Sequence, residues 1–246
     1  MMDITQDDFL GGQLRLLQPA RGYRAGIDPV LLAASVAAKP GQIVLDVGCG
    51  VGTAALCLGR RVGGLQLYGV EVFSDYGDLT QQNARDNGLQ MSVHNGSLLD
   101  NPFAETQFDH VIMNPPFFHN GTAPHDAGKQ SGRAEDVPLA QWIDYGKRRL
   151  RAKGHLSVIQ SASRLNDILV NLTDGFGDIK VVPIAPRQAR AAKLVMVRAT
   201  KSSRTPLSIL PPLHLHSGAV HSDENQDYAP IVEAVLRKGV ALPIFD

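Results

Sequence analysis

Cysteine is scarce in this chain, where Cys49 and Cys57 are the two among 246 residues. Their spacing matches neither a disulfide framework nor a zinc motif, so we expect a reducing, cytoplasmic environment and no metal site. His214 and His216 alternate along one segment of the sequence. That segment offers no third ligand, so the pair falls short of the ligand count of a zinc site.

Long apolar stretches are also missing. No stretch reaches the roughly 20 apolar residues that a membrane-spanning helix needs. Residues 1–8 are acidic where a signal peptide would have its apolar core. We therefore expect a protein that is neither exported nor embedded in a membrane. An apolar fraction of 43% suffices for a large core, and we expect one domain over residues 1–246, in a monomer or weak homodimer.

Apolar runs alternate with amphipathic stretches along the sequence, which is typical of β-α-β units and a mainly parallel sheet. We predict strands at residues 42–47, 65–72, 91–94, 108–113, 155–160, 177–184 and 193–199. Helices are predicted at 27–38, 52–61, 75–87 and 139–151, with 163–172 adding to the covering of the sheet. The expected fold class is α/β, with a Rossmann-like, seven-stranded, mainly parallel sheet, helices on both faces and an antiparallel pair at the far edge.

Glycines recur directly after the first predicted strand, at Gly48, Gly50 and Gly52. Their spacing is G-x-G-x-G, whereas a dinucleotide-binding turn prefers G-x-G-x-x-G, and this difference weakens a dehydrogenase interpretation. Glycine lets the backbone turn sharply and lets a ligand lie against it without a Cβ in the way. The motif therefore predicts the binding loop of a cofactor that contains a nucleoside.

Two carboxylates and a short turn accompany this loop in the predicted fold. Glu71 ends the second strand, where it can accept hydrogen bonds from both hydroxyls of a ribose. Asp46 has three interpretations: it orients the glycine turn, reaches the amino-acid part of the cofactor, or partners the N-terminus of the next helix. Gly96 and Ser97 follow the third strand and either flank the adenine ring of the cofactor or form a plain turn.

The strand predicted at 108–113 is followed by Asn114, Pro115, Pro116 and Phe117. An exocyclic amino group shares its lone pair with the attached π-system, so it is a poor nucleophile until its nitrogen begins to pyramidalise. The Asn114 side-chain oxygen and the Pro115 carbonyl can accept its two protons and favour that change without becoming charged. The prolines stiffen the loop, and Phe117 can stack on a flat substrate. Alone, the tetrapeptide also fits a turn that closes a strand; with the glycine motif it predicts methyl transfer to a planar nitrogen.

With the glycine motif after its first predicted strand and Asn-Pro-Pro-Phe after the strand at 108–113, the chain resembles the class I methyltransferases that depend on S-adenosylmethionine. Within them it is similar to the bacterial enzymes that N6-methylate the adenosine beside the anticodon of a valine tRNA. The resemblance covers nearly the whole chain, with further matches at residues 5–12, 18–19, 22–24, 28, 31–33, 186–187, 192–195 and 212–216. It implies S-adenosyl-L-methionine as the cofactor and tRNA as the substrate.

The resemblance also implies roles for segments that carry no motif. The leading segment of such enzymes folds over the cofactor, so Gln18, Tyr23 and Arg24 inherit a cofactor-side role. Ser97 stands where many relatives carry an aspartate, which weakens the transfer of the adenine contact to this position. The expected division is a helical cofactor lid at 1–40, a catalytic core at 41–200 and a C-terminal extension at 201–246.

Charge is distributed unevenly, although the net charge is zero. Residues 179–222 include no acidic residue but several lysines and arginines. This stretch is either a solvated surface or a surface that contacts RNA phosphates beside the catalytic cleft. In the second interpretation the candidate RNA contacts, together with Phe117, are Arg187, Arg190, Lys193 and Lys201.

Other enzymes share the Asn-Pro-Pro sequence and differ in target. Guanine-N2 methyltransferases of ribosomal RNA also use Asn-Pro-Pro-Phe, and glutamine-N5 methyltransferases of release factors usually carry Tyr after the prolines. The ribosomal enzymes typically carry a second, degenerate methyltransferase-like domain, for which we expect 246 residues to leave no room. A further alternative is a subunit that binds the cofactor without chemistry, and an intact Asn114 argues against it.

Overall fold

The N-terminal segment is a β-hairpin in the computed structural model, which describes residues 2–116, 137–218 and 227–245. Strands β1 (Ile4–Phe9) and β2 (Leu14–Pro19) pair antiparallel across the turn at Leu10–Gly12. The helical lid predicted for residues 1–40 is therefore wrong over the hairpin. Leu14 and Leu16 are fully buried while the residue between them is exposed, which is the alternation of a strand with one covered face.

The central sheet contains the seven strands that the sequence predicts. They are β3 (Ile43–Val47), β4 (Gln66–Glu71), β5 (Met91–Asn95), β6 (Phe108–Met113), β7 (Leu150–Ser161), β8 (Phe176–Ala185) and β9 (Leu194–Lys201). Two short strands, β10 (Ser208–Ile209) and β11 (Leu213–His214), add to β8. β3 to β7 pair in parallel, while β9 lies antiparallel between β7 and β8. The predicted mainly parallel sheet with antiparallel pairing at its far edge is confirmed.

Helices cover both faces of the sheet, as predicted. They are α1 (Asp28–Ser35), α2 (Thr53–Arg61), α3 (Ser74–Asp86), α4 (Leu139–Arg149), α5 (Leu165–Leu172) and α6 (Pro230–Lys238). The hairpin, α1, α2 and α6 share one core cluster with Val44 and Ile112 of the sheet. On the other face α4 and α5 pack with Val47 and Val111. Within the described ranges, no helix has the length and apolar character needed to cross a membrane.

The C-terminal segment packs into the same core as the hairpin. Val232 and Val235 of α6, followed by Leu242 and Phe245, are buried in the cluster that also holds α1 and α2. The Phe245 backbone carbonyl accepts a hydrogen bond from a lysine of β8 at 2.6 Å. The segment beyond residue 200 thus contributes to the core through these residues.

The strand order reverses between β3 and β6. From β3 the chain moves outward to β4 and β5 on one side, and then returns to β6 and β7 on the other. The loops after β3 and β6 therefore separate and leave a crevice, which is where open α/β sheets bind their ligands. Val47, the last residue of β3, pairs with Val70 of β4 and with Met113, the last residue of β6. The segments that follow these three residues are consequently brought side by side.

The hairpin is attached to the rest of the fold through helix α3. The buried Asn83 side chain accepts a hydrogen bond from the Leu17 amide (2.7 Å) and donates to the carbonyls of Leu17 and Val51 (both 3.0 Å). Asn87, one turn later, accepts from the Arg15 amide (3.0 Å) and donates to the Arg15 carbonyl (2.8 Å). These two side-chain amides satisfy backbone groups of β2 that a neighbouring strand would otherwise bind.

We predict that Asn83→Ala lowers the free energy of unfolding by about 1–3 kcal/mol, because it leaves the part-buried backbone groups of Leu17 and the buried carbonyl of Val51 without this partner. Asn87→Ala is the matched control. Its contacts with Arg15 lie near solvent, so water replaces them and the loss should stay below about 1 kcal/mol. Urea denaturation measures both losses, and equal losses would show that the buried amide does not dominate the attachment.

Candidate active site

Three residues singled out in the sequence meet at the carboxyl edge of the sheet. Gly48, Glu71 and Asn114 each directly follow a residue of the paired row centred on Val47. The Gly48 amide also donates to the Val70 carbonyl at 2.8 Å, which ties the start of the glycine loop to β4. The register of the strands thus assembles the two sequence motifs into one site.

The glycine loop between β3 and α2 depends on conformations that favour glycine. The φ angles are 69° at Gly48, 57° at Gly50 and 87° at Gly52. A Cβ at Gly48 would lie 2.5 Å from the ring of Trp142, and one at Gly52 would lie 2.8 Å from Thr80, both closer than side chains pack. At Gly50 the space is open apart from one aromatic ring. The loop therefore packs tightly at its two ends and leaves accessible backbone at its centre.

Glu71 is a buried carboxylate that holds the glycine loop. Its side chain is 6% exposed, Oε2 accepts from the Gly50 amide (2.8 Å) and Oε1 accepts from the Phe73 amide (3.0 Å). Burial raises the pKa of Glu71, and the backbone amides of Phe73, Gly50 and Val72 oppose that rise. A carboxylate offers about four acceptor positions, so acceptor capacity remains beyond these contacts. That capacity fits the hydroxyls of a ribose.

Asp46 lies beneath the same loop and is almost fully buried. Its Oδ2 atom accepts the Ala55 amide in the first turn of α2 at 3.2 Å. This contact matches one of its three interpretations, the partner of a helix N-terminus. Burial raises the pKa of Asp46 to about 7, the Ala55 amide lowers it, and the charge of Glu71 raises it. A cation bound nearby would favour the ionised form.

The three residues of the leading segment lie in different surroundings. Tyr23 is 55% exposed, and its ring lies 3.8 Å from the position of a Cβ on Gly50. Gln18 is buried and donates to the Asp7 carboxylate at 2.8 Å, with which Arg24 forms an ion pair at 2.6 Å. Tyr23 thus lies beside the open centre of the glycine loop. Gln18 and Arg24 instead bind Asp7 of the hairpin.

The turn after β5 is stabilised by its own polar groups. The Ser97 hydroxyl accepts the Leu99 amide (3.1 Å), and the Ser97 amide donates to the Asp100 carboxylate (2.9 Å). The Gly96 amide donates to the Glu71 carbonyl at 2.8 Å, which keeps this turn beside β4. These contacts explain the turn interpretation in full, and a contact of Gly96 or Ser97 with the cofactor stays a prediction.

Two exposed apolar side chains at this edge are not singled out by the sequence. Val72 directly follows β4 and is 39% exposed, and Leu99 follows the neighbouring strand β5 and is 57% exposed. Apolar side chains that line a ligand site bind the flat parts of a ligand. Single exposed apolar residues give no sequence signal, because such residues are common on protein surfaces.

Asn114 has its side-chain oxygen inside the protein. Within the part of the chain that the structure describes, this buried Oδ1 atom has no hydrogen-bond partner. The carbonyls of Pro115 and Pro116 both accept from Nε2 of Gln160, at 3.1 and 3.2 Å. A buried acceptor without a donor costs free energy, and a substrate amino group would supply one. Phe117 lies outside the described residues, so its stacking role stays a prediction.

The four basic candidates of the C-terminal half divide into two pairs. β9 runs antiparallel to β7, so Arg190 and Lys193, which are exposed just before β9, lie at the carboxyl edge of the parallel strands. Arg187 is 8% exposed and forms an ion pair with Asp227. Lys201 ends β9 at the opposite edge and donates to two backbone carbonyls at the junction of α4 and β7. Arg187 and Lys201 thus spend donors on partners within the protein, and their contact with RNA stays a prediction.

Comparisons with known proteins agree with this geometry. A family model described as methyltransferase small domain matches residues 28–187. A Porphyromonas gingivalis protein named tRNA1(Val) (adenine(37)-N6)-methyltransferase is 28% identical over 176 residues, which are 67% of this chain and 69% of that protein. A structure described as a predicted O-methyltransferase from Agrobacterium tumefaciens has a TM-score of 0.70 at 22% identity, over 87% of this chain and 98% of that one. A 16S rRNA N2 methyltransferase from T. thermophilus, in complex with AdoMet and guanosine, has a TM-score of 0.60 at 19% identity, over 82% and 51%.

The sheet with its reversed strand order, the glycine loop and the buried Glu71 define a class I methyltransferase that depends on S-adenosylmethionine. The chain belongs to the methyltransferase small domain family. Its residues fit the cofactor, since the open backbone at Gly50 and the remaining acceptor positions of Glu71 lie together.

We predict that Glu71→Ala weakens S-adenosylmethionine binding about 10- to 150-fold, the range for loss of a hydrogen bond to a charged group. Glu71→Gln is the matched variant. It keeps the shape of the side chain and one acceptor oxygen for the glycine loop, but it loses the charge. Its affinity for S-adenosylmethionine should therefore lie between those of the wild type and Glu71→Ala. Titration calorimetry measures the affinities, and thermal unfolding without cofactor confirms that each variant is folded. Wild-type affinity in a folded Glu71→Ala would remove this residue from the cofactor site.

Proposed function

We propose that this methyltransferase modifies N6 of an adenosine in tRNA, at a position beside the anticodon. The observation that carries the proposal is the buried Oδ1 atom of Asn114, which lacks a partner among the described residues and follows the strand next to the glycine loop. The name of the Porphyromonas gingivalis relative, which specifies tRNA and adenine N6, supports this choice of base.

The acceptors of the Asn-Pro-Pro loop match the two hydrogens of an adenine amino group. Asn114 Oδ1 accepts one, and the Pro115 carbonyl, which has a second lone pair beyond its contact with Gln160, accepts the other. Both acceptors are uncharged and already oriented, so they favour the pyramidal nitrogen without reorganising. No side chain has to act as a base, because the amino proton becomes acidic only after methylation and can leave to water.

The residues of the glycine loop and β4 would hold the cofactor. When bound, S-adenosylmethionine supplies a methyl group on a positively charged sulfur, which is an electrophile for the substrate nitrogen. Glu71 binds the ribose, and the open backbone at Gly50 lies against the ligand. Val72 and Leu99 offer apolar surface to the adenine ring, and Tyr23 covers the loop from the hairpin side.

The RNA contacts that remain in the proposal are Arg190 and Lys193, with Phe117. Both basic side chains are exposed at the edge of the sheet that carries Asn114. Exposed cations beside a cleft contact phosphates independently of sequence. An unpaired base of a tRNA loop can then enter the pocket at little unstacking cost.

The direct test uses total tRNA, ribosomal RNA and release factor from a strain that lacks this gene, each incubated separately with the protein and labelled S-adenosylmethionine. Mass spectrometry of the digested RNA or protein identifies the labelled nucleoside or residue. N6-methyladenosine in one tRNA species supports the proposal. Label in N2-methylguanosine of ribosomal RNA would replace it with the second candidate function, whose exocyclic amino group offers Asn114 the same two hydrogens. Label in a release-factor glutamine would replace it with a protein substrate.

We predict that Asn114→Ala lowers kcat on the order of 10²–10³-fold and leaves cofactor affinity nearly unchanged, because the oxygen acts mainly on the transition state. Asn166→Ala, an exposed position on α5, is the control and should keep wild-type turnover. Single-turnover methylation of tRNA gives the rates. A rate near that of the wild type in Asn114→Ala would refute the acceptor role.

We also predict that reversing Arg190 and Lys193 to Glu weakens tRNA binding uniformly across sequences. The salt dependence should flatten by roughly 0.7 log units per lost single-strand phosphate contact, or about 0.9 for a duplex contact. The control variant replaces Lys153 and Arg204 with Glu; both are exposed residues at the opposite edge of the sheet. Fluorescence anisotropy over a salt series measures both slopes. If the salt dependence of tRNA binding flattens equally in the two double variants, RNA does not bind at the carboxyl edge in particular.

A further inference from the structure

A glutamine at the end of β7 holds the Asn-Pro-Pro loop from the side. Gln160 is fully buried, and its Nε2 atom donates to the Pro115 carbonyl at 3.1 Å and to the Pro116 carbonyl at 3.2 Å. Its Oε1 atom accepts the amide of Ser161 at 2.7 Å. Both hydrogens of one side-chain amide are therefore spent on two consecutive carbonyls of the acceptor loop.

The loop needs such an outside donor because its own sequence provides none. Pro115 and Pro116 have no N–H groups, so they cannot bind the neighbouring strand as ordinary residues do. The pairing of β6 with β7 ends at Met113 and Val158. Two residues beyond Val158, the Gln160 side chain continues the connection between the two strands where the backbone ladder stops.

Two hydrogen bonds from one planar amide restrain the loop more than a single bond would. One bond fixes a distance, whereas two bonds to successive carbonyls also fix the direction in which the chain runs. Asn114 directly precedes these carbonyls, so the same restraint orients its backbone and hence its Oδ1 atom. Small displacements of a reacting group cost large factors in rate, about 10²-fold for 1 Å.

We propose that Gln160 is a positioning residue, which holds the acceptor loop so that Asn114 meets the substrate amino group in the reactive geometry. The inference rests on the proposed function, since it assigns Asn114 the role given there. It adds that one lone pair of the Pro115 carbonyl is reserved for Gln160 and the other faces the substrate.

The test compares Gln160→Met, Gln160→Glu and a control on the same strand, Ser157→Ala, which also changes a buried polar residue. In Gln160→Met both donors are lost at similar volume, so kcat should fall roughly 10- to 100-fold. The KM for tRNA and the affinity for S-adenosylmethionine should change less than about threefold, because neither ligand contacts Gln160. Ser157→Ala should retain turnover.

The Gln160→Glu variant adds a readout that a packing role would not produce. Its ionised carboxylate repels the two carbonyls, whereas its protonated form donates one hydrogen bond to them. Burial raises the pKa of such a carboxyl group, so the turnover of this variant, relative to wild type, should recover as the pH falls. A ratio to wild type that is independent of pH would overturn the positioning role.

Hydrogen exchange separates this inference from the proposed function, since it needs no substrate. The Asn114 amide should exchange faster in Gln160→Met than in the wild type or Ser157→Ala. If wild-type protein methylates a different nucleoside and the exchange still increases, the proposed function fails and the restraint stands. If exchange and kcat of Gln160→Met both equal those of the wild type, the restraint itself is refuted.

Discussion

The parallel pairing of β3 with both β4 and β6 is the constraint on which the site depends. Val47 pairs with Val70 on one side and Met113 on the other, so the glycine loop, Glu71 and Asn114 leave the sheet from one row. The strand order reverses at the same place, which opens the crevice that receives ligands. A one-residue shift of β6 would move Asn114 out of line and turn its neighbours to the opposite face.

The residues around this row keep polar groups in place before any ligand arrives. Glu71 is held by the amides of Gly50 and Phe73, and the carbonyls of the Asn-Pro-Pro loop are held by Gln160. The Asn114 oxygen differs, since it is buried with no donor among the described residues. Such an acceptor has no hydrogen bond to give up when the substrate arrives. The bond that it forms with the substrate amino group therefore contributes its full free energy to the complex.

Much of the fold follows from patterns that are local in sequence. Strands of the central sheet such as β3 and β9 hold apolar runs, and the reversal after β5 follows from ordinary β-α-β connections. The hairpin at residues 4–19 was harder to infer, because its strand alternation is confined to Leu14 and Leu16 and its edge is bound by Asn83 and Asn87 from a distant helix. Such contacts leave no periodic signal in the sequence.

The site was predictable where a motif dictates backbone shape, as at Gly48 and Pro115. It was not predictable where the role depends on a partner far along the chain. Gln160 meets the loop across 45 and 44 residues, and Arg187 pairs with Asp227 across 40. Arginine and lysine look alike in sequence whether they face solvent or bind carbonyls inside the fold, so composition alone could not reveal the internal partners of Arg187 and Lys201.

The central claim is that cofactor and substrate base meet where β3 and β6 end. It is tested most directly by a crystal structure of the complex with S-adenosylhomocysteine and an RNA hairpin that carries the target adenosine. The account predicts the ribose of the cofactor on Glu71 and the adenosine N6 atom within hydrogen-bond distance of Asn114 Oδ1 and the Pro115 carbonyl. Either ligand bound away from the carboxyl ends of these strands, or a base whose amino group points away from Asn114, would contradict it.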